Sequence, residues 1–504
     1  MAYPIYLTIG NIPKEFRQKP SRRAQILMGY IPTTKFKGIT NKNARRRALG
    51  NLFHACMGLL VSPMNSIGET GIEMMSGDGI WRRCHPILAT FIGDYPEQTL
   101  VTCTFNGRCP KCTVPWDQLG DFKHFPLRDL DNATDIYLLA DEDAQIFHAA
   151  CRETGLKPVY HPFWESLPLS NIFLSITPDV LHQMLQGVMK HLVAWLTSSD
   201  AFGPSAIDAR CQSLPPNHHV TLFPKGITTL SRVMGKGHKD MCRILIGLII
   251  NLPPPGGQVP SRVVKAVWAI LDFLYLAQFP SHTSDTLRRL NDSLTQFHQN
   301  KSVFVDLGVR RHFNIPKLHS LVHYQSSIAL FGTTDNYNTE QSEHLHIDFT
   351  KDAYRATNRK DEYPQMTTWL ECREKVQQHS LMLNRKQRSV DHHNTVRTHA
   401  VRPIGPLCPR TRNLKMAINP SARAVSFSDI VRKYGATDFQ DALADLIAQI
   451  NYPDLTGNTL HNLCYDYGLA DLFGHSLNTY LVRNRPRSDL GIYLCLYLLT
   501  LMLF

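Results

Sequence analysis

Two cysteines and two histidines have the residue types and the spacing of a zinc site. Cys109 and Cys112 form a Cys-Pro-Lys-Cys motif, and two thiolates three residues apart can bind one tetrahedral ion. His319 and His323 are four residues apart, so on a helix both imidazoles would project from one face. The two pairs could complete a Cys2His2 site that joins distant segments. The alternative is an ordinary packed surface, because the chain has 23 histidines and some pairs arise by chance.

Carboxylates near these motifs are candidates for binding divalent cations. Asp94 follows an apolar run at residues 86–93, which is predicted to be a strand with the carboxylate at its end. A second β-rich run is predicted at residues 99–105. Glu340 and Glu343 lie in the first turns of a predicted helix, where the helix dipole favours carboxylates whatever else they do.

A further pair, Asp179 and His182, lies at the start of a predicted helix over residues 178–197. Residues three apart share a helix face, so the pair could bind a metal ion or a substrate. The favoured alternative is that Asp179 only complements the positive end of the helix dipole.

Charge composition points to an anionic partner. Lysine and arginine number 54 against 42 aspartates and glutamates, for a net charge of +12, and nucleic acid fits better than a membrane surface because no basic amphipathic helix is evident. The densest basic stretch covers residues 14–47 and contains a single acid, Glu15. It is equally consistent with DNA phosphates or with a solvated face. The candidate DNA-binding residues are Arg22, Arg23, Lys42, Arg45, Arg46 and Arg47.

The remaining composition is that of an intracellular globular protein. Hydrophobic residues make up 43% of the chain and charged residues 19%. The N-terminus lacks the features of a secretory signal, so the 12 cysteines are expected to be reduced apart from the metal motif. The apolar run at residues 491–504 is shorter than the ~20 residues of a membrane span, and no membrane partner is expected.

A series of separated strings resembles, in order, the Plavaka-type transposases of fungi, which belong to the Kyakuja–Dileera–Zisupton group and are distantly akin to CACTA transposases. The resemblance covers most of residues 3–375. The strings read YLTIGNIPK (6–14), KPSRR (19–23), SGDG (76–79), CHPIL (84–88), GDYPEQ (93–98), CPKC (109–112), PDVLHQ (178–183) and TEQSEH (339–344).

The resemblance implies a nuclear, DNA-cleaving and strand-transferring enzyme with an RNase H-like α/β core, an Asp-Asp-Glu triad that binds Mg2+, and a large helical insertion before the Glu. In related transposases the second Asp precedes a Cys-x-x-Cys motif and a histidine pair precedes the Glu. By that order Asp94 is the second acid and Glu343 the third, with Glu340 as a close rival. The same order makes the zinc structural and assigns it to Cys109, Cys112, His319 and His323.

The implied organisation places the two parts of the core on either side of the insertion. A small helical appendage then follows a polar, basic linker. The expected regions are residues 1–112 (core, first part), 113–310 (helical insertion), 311–376 (return to the core), 377–420 (linker) and 421–504 (C-terminal helical region).

The resemblance also leaves one acid unassigned. The family's first Asp belongs to a strand before the one predicted at residues 3–9, which places it upstream of Met1, and Asp78 in a glycine-rich turn is no substitute. We therefore expect a truncated transposase, inactive as written, that would act as a homo-oligomer if complete. The alternatives are a zinc-stapled DNA-binding protein without catalysis and a purely structural zinc protein.

Overall fold

The computed structural model describes residues 3–76, 78–231, 233–253, 260–395 and Arg432. The chain divides into two compact units, Met1–Met382 and Leu383–Phe504. The second unit lies outside the described residues except for the end of one helix and Arg432. The predictions for most of the linker, for the C-terminal helical region and for the apolar run at residues 491–504 therefore lie outside the described residues.

The strands form two small antiparallel sheets. Strand β1 (Tyr3–Thr8) pairs with β2 (Gln25–Ile31) in the register Tyr3 to Ile31, with a bulge after Ile5. Strand β3 (Ile72–Met75) pairs with β4 (Trp81–Cys84) in an exposed hairpin. The strand predicted at residues 3–9 is thus present as β1.

Helices account for most of the remaining described chain. The N-terminal helices are α1 (Lys14–Arg17), α2 (Lys42–Val61), α3 (Pro63–Thr70), α4 (Tyr95–Val101), α5 (Leu130–Leu138), α6 (Ala144–Thr154) and α7 (Ile172–Ser175). Helix π1, a π-helical segment, covers Val180–Met189 and leads directly into α8 (Lys190–Leu196). The helices that follow are α9 (Pro204–Gln212), α10 (Gly235–Ile249), α11 (Pro260–Ala277), α12 (Ser284–Asn300) and α13 (Val303–Asp306).

The region that carries the predicted histidine pair and the glutamates is also helical. Short 3-10 turns occur at Pro20–Arg22, Trp116–Gln118, Leu139–Asp141, Ser320–His323 and Thr334–Asn336. The last helices are α14 (Pro316–His319), α15 (Tyr324–Phe331), α16 (Thr339–His346), the π-helical π2 (Ile347–Asp352), α17 (Ala353–Arg355) and α18 (Glu362–Thr395).

The fold is mixed α/β, as predicted, but its sheets do not confirm an RNase H-like core. Only one residue of the strand predicted at 86–93 is in β structure: Phe91 forms an isolated parallel bridge with Ile176. The strand predicted at 99–105 is wrong, because residues 95–101 form α4. Asp94 caps this helix and proline follows at its start, and these local signals outweigh the β-branched Thr99 and Val101.

Two large hydrophobic cores, and a small cluster around the cysteine motif, organise the described part of the first unit. One is built from residues between Ile31 and Ile176, and the other from residues between Val180 and Ile328. The predicted insertion, residues 113–310, therefore contributes to both cores, and the second core continues into the segment that carries the histidine pair.

Helix α18 extends beyond the predicted boundary of the linker. It continues to Thr395, so residues 377–395 are helical. Its composition explains the difference, since glutamine, arginine, lysine and leucine are good helix formers even where little is buried. No helix in the described part of the chain is long and apolar enough to cross a membrane.

Candidate metal centre and acidic site

The predicted zinc ligands lie together although they are far apart in the sequence. Cys109 Sγ lies 3.4 Å from His323 Nε2, and Cys112 Sγ lies 3.1 Å from His319 Nε2. One potential ligand atom from each of the four residues lies within 4.8 Å of all the others. His323 is half-buried and the other three side chains are buried. The four side chains therefore form one largely buried cluster.

This donor set suits a tetrahedral zinc ion. Zn–S and Zn–N bonds of about 2.3 and 2.0 Å place tetrahedral ligand atoms about 3.3–3.8 Å apart, close to the observed S–N separations. Although burial raises the pKa of the Cys109 thiol, the hydrogen bond from Cys112 and the charge of His323 outweigh it and hold that pKa well below its usual value. The thiolate is the form that binds a metal. The hydrogen bond to Cys109 and burial raise the pKa of Cys112, so without an ion the two cysteines share one proton between them.

Two buried cations, Lys111 and Arg128, hold the backbone around the cysteine motif in place. Lys111 Nζ donates to the carbonyls of Leu174 and Ile176 at 2.9 and 2.8 Å. Arg128 Nε donates to the Cys109 carbonyl at 3.0 Å. Lys111 therefore ties the metal motif to the segment that precedes Asp179. Ile176 of the same segment also forms the parallel bridge with Phe91.

The histidines are carried by consecutive helical turns. His319 ends α14 and His323 ends the following 3-10 turn, with their ring centroids 5.3 Å apart. The helical presentation predicted from their spacing is therefore present. His319 Nδ1 is buried and has no hydrogen-bond partner.

Asp94 begins helix α4 and lies beside a second acid. Its carboxylate accepts a hydrogen bond from the Glu97 backbone N–H at 2.9 Å, which makes it an N-cap. Burial raises the pKa of Glu97 to about 7, and the nearby Asp94 charge contributes in the same direction. Tyr3 of β1 donates its hydroxyl to Glu97. At Gly93 a Cβ would lie 2.6 Å from Glu97 Oε2, so glycine leaves room for this carboxyl.

Asp179 and His182 connect π1 of the predicted insertion to α16, the helix that carries Glu340 and Glu343. Asp179 is 1% exposed and accepts from the His182 N–H at 2.7 Å, the Thr339 N–H at 3.1 Å and the Thr339 hydroxyl at 2.9 Å. It therefore caps π1 and also binds the first turn of α16. Asp179 therefore does more than complement the helix dipole, because its side chain joins π1 and α16.

His182 in turn contacts the predicted third acid. Its Nδ1 lies 2.9 Å from Asp179 and its Nε2 lies 3.1 Å from Glu343 Oε1. Burial opposes protonation, but Asp179, Glu343 and Asp94 outweigh it and raise the pKa of His182. A protonated imidazole donates from both nitrogens, as this bridge between two carboxylates requires.

Glu340, the rival of Glu343, has a different partner. Its carboxylate pairs with Lys239 of α10 at 2.8 Å. Glu343 is exposed and faces His182, and the charge of Asp94 also acts on His182. Glu343, rather than Glu340, therefore contacts the histidine on which Asp94 acts.

Buried glutamines hold the backbone around Asp94 and Asp179 together. Gln98 Nε2 donates to the carbonyls of Gly93 and Thr177, and Gln183 donates to Gln98 Oε1 at 2.8 Å. Gln183 Oε1 accepts from the Asp179 N–H at 3.2 Å. Both glutamines are 1% exposed. Such a satisfied buried network favours a single arrangement of the two acid-bearing segments.

The predicted basic surface is only partly free to bind a ligand. Lys14 binds Asp335, and Arg45 donates twice to the Ile39 carbonyl. Arg17 donates to Asn336, and Arg22 lies over the Phe16 ring. The candidates that remain exposed without an ion pair among the described residues are Arg22, Arg23, Lys42, Arg46 and Arg47.

The sequence missed several residues of this site. Glu97 lies close to Asp94 and is part of the string GDYPEQ (93–98), but the resemblance assigned it no role. Lys317 donates to the His182 carbonyl at 2.8 Å and packs against Gly187 of π1. The sequence signal for Lys317 was its position two residues before His319, a predicted metal ligand.

Comparison with known proteins agrees with the resemblance seen in the strings. Residues 1–196 match the model of a family described as Plavaka transposase, which confirms the resemblance to Plavaka-type transposases over this part of the chain. The matched segment contains Asp94, the cysteine motif, Asp179 and His182. His319, His323 and Glu343 lie beyond it. No curated protein matches the chain.

Proposed function

We propose that this Plavaka-like chain is the transposase of a DNA transposon, acts in the nucleus and uses Asp94 and Glu343 as metal-binding acids for strand cleavage and transfer. The observation that carries the proposal is the bridge through His182. It connects Glu343 to a buried network that also fixes the backbone at Asp94. The match of residues 1–196 to a transposase family supports the same assignment.

Carboxylate oxygens at Asp94 and Glu343 are the donors that Mg2+ prefers. Bound Mg2+ would supply an activated water or DNA 3′-hydroxyl and would neutralise charge on the phosphate. Within the protein, His182 orients Glu343, and Asp179 holds His182. Gln98 and Gln183 hold the segment that carries Asp94.

We assign the Cys109, Cys112, His319 and His323 cluster as a structural zinc site. Four protein donors leave no open position, so the site stabilises and does not catalyse. Its role would be to hold the segment after Asp94 against the segment before Glu343. An RNase H-like arrangement is supported by the antiparallel β1–β2 pair, the following helix α2 and the parallel bridge beside Asp94.

Free cations on α2 support DNA as the partner. Lys42, Arg46 and Arg47 lie in the first turns of α2, which contain no acid. Cations are unfavourable at this end of a helix dipole. Their presence there is explained if the helix start faces phosphates.

The first acid of the triad is unassigned and the sequence predicts an inactive chain, so Mg2+- or Mn2+-dependent nicking of supercoiled plasmid by the full chain tests the proposal and that expectation together. Where the wild type nicks, Asp94→Asn and Glu343→Gln should each abolish nicking while zinc content and DNA affinity are kept. Glu340→Gln is the matched control and should retain activity. Nicking that survives Asp94→Asn would remove the assignment.

A second candidate is a DNA-binding protein without catalysis. One observation favours it: among the described residues, no group of three His, Cys, Asp or Glu side chains other than the zinc cluster lies within metal-binding distance. This candidate predicts salt-sensitive DNA binding with no nicking at any Mg2+ or Mn2+ concentration.

A further inference from the structure

A second basic surface, absent from the sequence predictions, lies beside the acidic site. It consists of Lys190, His191, Arg310 and Lys317, and we call it the α8 cation surface. Lys190 and His191 begin α8, directly after π1, and Lys317 belongs to α14. Arg310 lies between α13 and α14. Three separate segments of the chain therefore bring positive charge to one place.

Aromatic packing fixes part of this surface. The Arg310 guanidinium lies 5.6 Å from the centre of the Trp195 ring, and His191 stacks on the same ring at 6.2 Å. Trp195 itself is 4% exposed. Arg310 and His191 therefore both pack against this buried ring.

Lys317 connects the surface to the acids. Its Nζ donates to the His182 carbonyl at 2.8 Å, and its side chain lies so close to Gly187 that a Cβ there would be 2.6 Å from Lys317 Cδ. His182 in turn lies 2.9 Å from Asp179 and 3.1 Å from Glu343. Lys317 therefore lies at the border between the acidic site and the α8 cation surface.

The surface carries a charge excess that the protein does not neutralise. Lys190 and Arg310 form no ion pair with an acid in the described residues, and Lys190 is exposed. Burial lowers the pKa of His191, and the charges of Arg310, Lys317 and Lys190 act in the same direction. Uncompensated like charges in one place destabilise a fold unless an anion binds there.

We propose that Lys190, Arg310 and Lys317 bind consecutive backbone phosphates of the DNA strand that enters the acidic site. The inference rests on the proposed function and specifies where its substrate lies. Cations from several elements next to metal-binding acids match a polyanion that extends past the reacting phosphate. A backbone-binding surface of this kind would position DNA without reading its sequence.

The experiment measures DNA affinity of the full chain against salt concentration. Lys190→Gln combined with Arg310→Gln should lower the slope of log K on log salt by about one to two, since each phosphate contact in duplex DNA contributes roughly 0.9. The charge-keeping variant Lys190→Arg should retain the wild-type slope. Lys225→Gln combined with Lys265→Gln removes two exposed lysines elsewhere that form no ion pair with any residue the structure describes, and it should also leave the slope unchanged.

The outcomes separate this inference from the proposed function. Wild-type binding with an unchanged slope in the Lys190/Arg310 variant, whose melting temperature and zinc content are normal, overturns the surface and leaves the proposed function standing. An equal loss of slope in the Lys225/Lys265 control would show a general charge effect and would also overturn it. Absence of DNA binding by the wild type overturns both.

Discussion

Asp179 accepts more hydrogen bonds than an N-cap requires. Asp179→Ala leaves the Thr339 N–H, the Thr339 hydroxyl and the His182 N–H without their acceptor in a buried place. We expect a loss of about 2–4 kcal/mol in the free energy of unfolding, because buried donors to a charged acceptor are left unsatisfied. Denaturant melts of the variant and the wild type measure this.

A matched control exists at the start of α5. Asp129 is an exposed N-cap that accepts only from the backbone N–H groups of Asp131 and Asn132. Asp129→Ala should cost about 1 kcal/mol. Equal losses in the two variants would show that Asp179 is only a local cap and that it does not join two helices.

Glu97 predicts a pH dependence whose sign can be worked out. Burial raises its pKa from an ordinary value of 4.5 to about 7. Between these two values the folded state binds more protons than the unfolded state, so its contribution to stability falls as pH rises through this window. Glu97→Gln should therefore gain stability relative to the wild type from pH 5 to pH 8, by roughly 1–3 kcal/mol.

Thermal melts of both proteins across this pH range measure that difference. The glutamine keeps an acceptor for the Tyr3 hydroxyl, so the comparison isolates the charge. A difference that stays constant between pH 5 and pH 8 would contradict a raised pKa at Glu97.

At the scale of elements, the close approach of π1 and α14 depends on a residue without a side chain. A Cβ at Gly187 would lie 2.6 Å from Lys317 Cδ and 2.9 Å from the His182 carbonyl oxygen. The backbone oxygen has little freedom to move, so Gly187→Ala should destabilise by about 1–3 kcal/mol. It should also weaken DNA binding if Lys317 is displaced.

Gly247 in α10 is the control for this prediction. A Cβ at this exposed helical position meets nothing within 4 Å. Gly247→Ala should therefore stabilise by about 0.5–1 kcal/mol, the ordinary helix preference for alanine. Stabilisation by both alanines would show that π1 and α14 can separate without cost.

What the sequence could predict depended on whether the signal was local. The spacing of Cys109 and Cys112 and of His319 and His323 gave each half of the metal cluster, because a pair is a local pattern. Helix α4 was missed although Asp94, a following proline and Glu97 form a recognisable helix start. The β-branched residues that follow were given too much weight.

Contacts between distant segments lay beyond such patterns. Asp179 and Thr339 are 160 residues apart, and nothing in either string indicates the other. The same holds for the pairing of Lys239 with Glu340, which separated the two glutamates. The sequence did not predict the α8 cation surface, because its charges come from separate segments that are each only weakly basic.

For the molecule as a whole, the metal cluster would cross-link two segments that are far apart in the sequence. Cys112 and His319 are separated by 207 residues: Cys112 precedes the residues of the second hydrophobic core, and His319 lies within the segment that contributes Leu318 and Leu321 to it. A metal ion bound only in the folded state contributes its binding free energy to folding. The buried cysteines and histidines would be left close together without that contribution if the metal were removed.

We therefore expect chelation, or Cys112→Ser, to lower the free energy of unfolding by more than about 3 kcal/mol, a fraction of the ~10–16 kcal/mol that zinc supplies in isolated fingers. Elemental analysis should find one zinc per wild-type chain and none in the variant. Cys84→Ser, at an exposed free cysteine, is the matched control and should retain both metal and stability. A Cys112→Ser protein that still binds one zinc and melts like the wild type would show that the cluster is not a metal site. The segments of Asp94 and Glu343 would then be held together by the hydrogen bonds of Asp179, His182 and the buried glutamines alone.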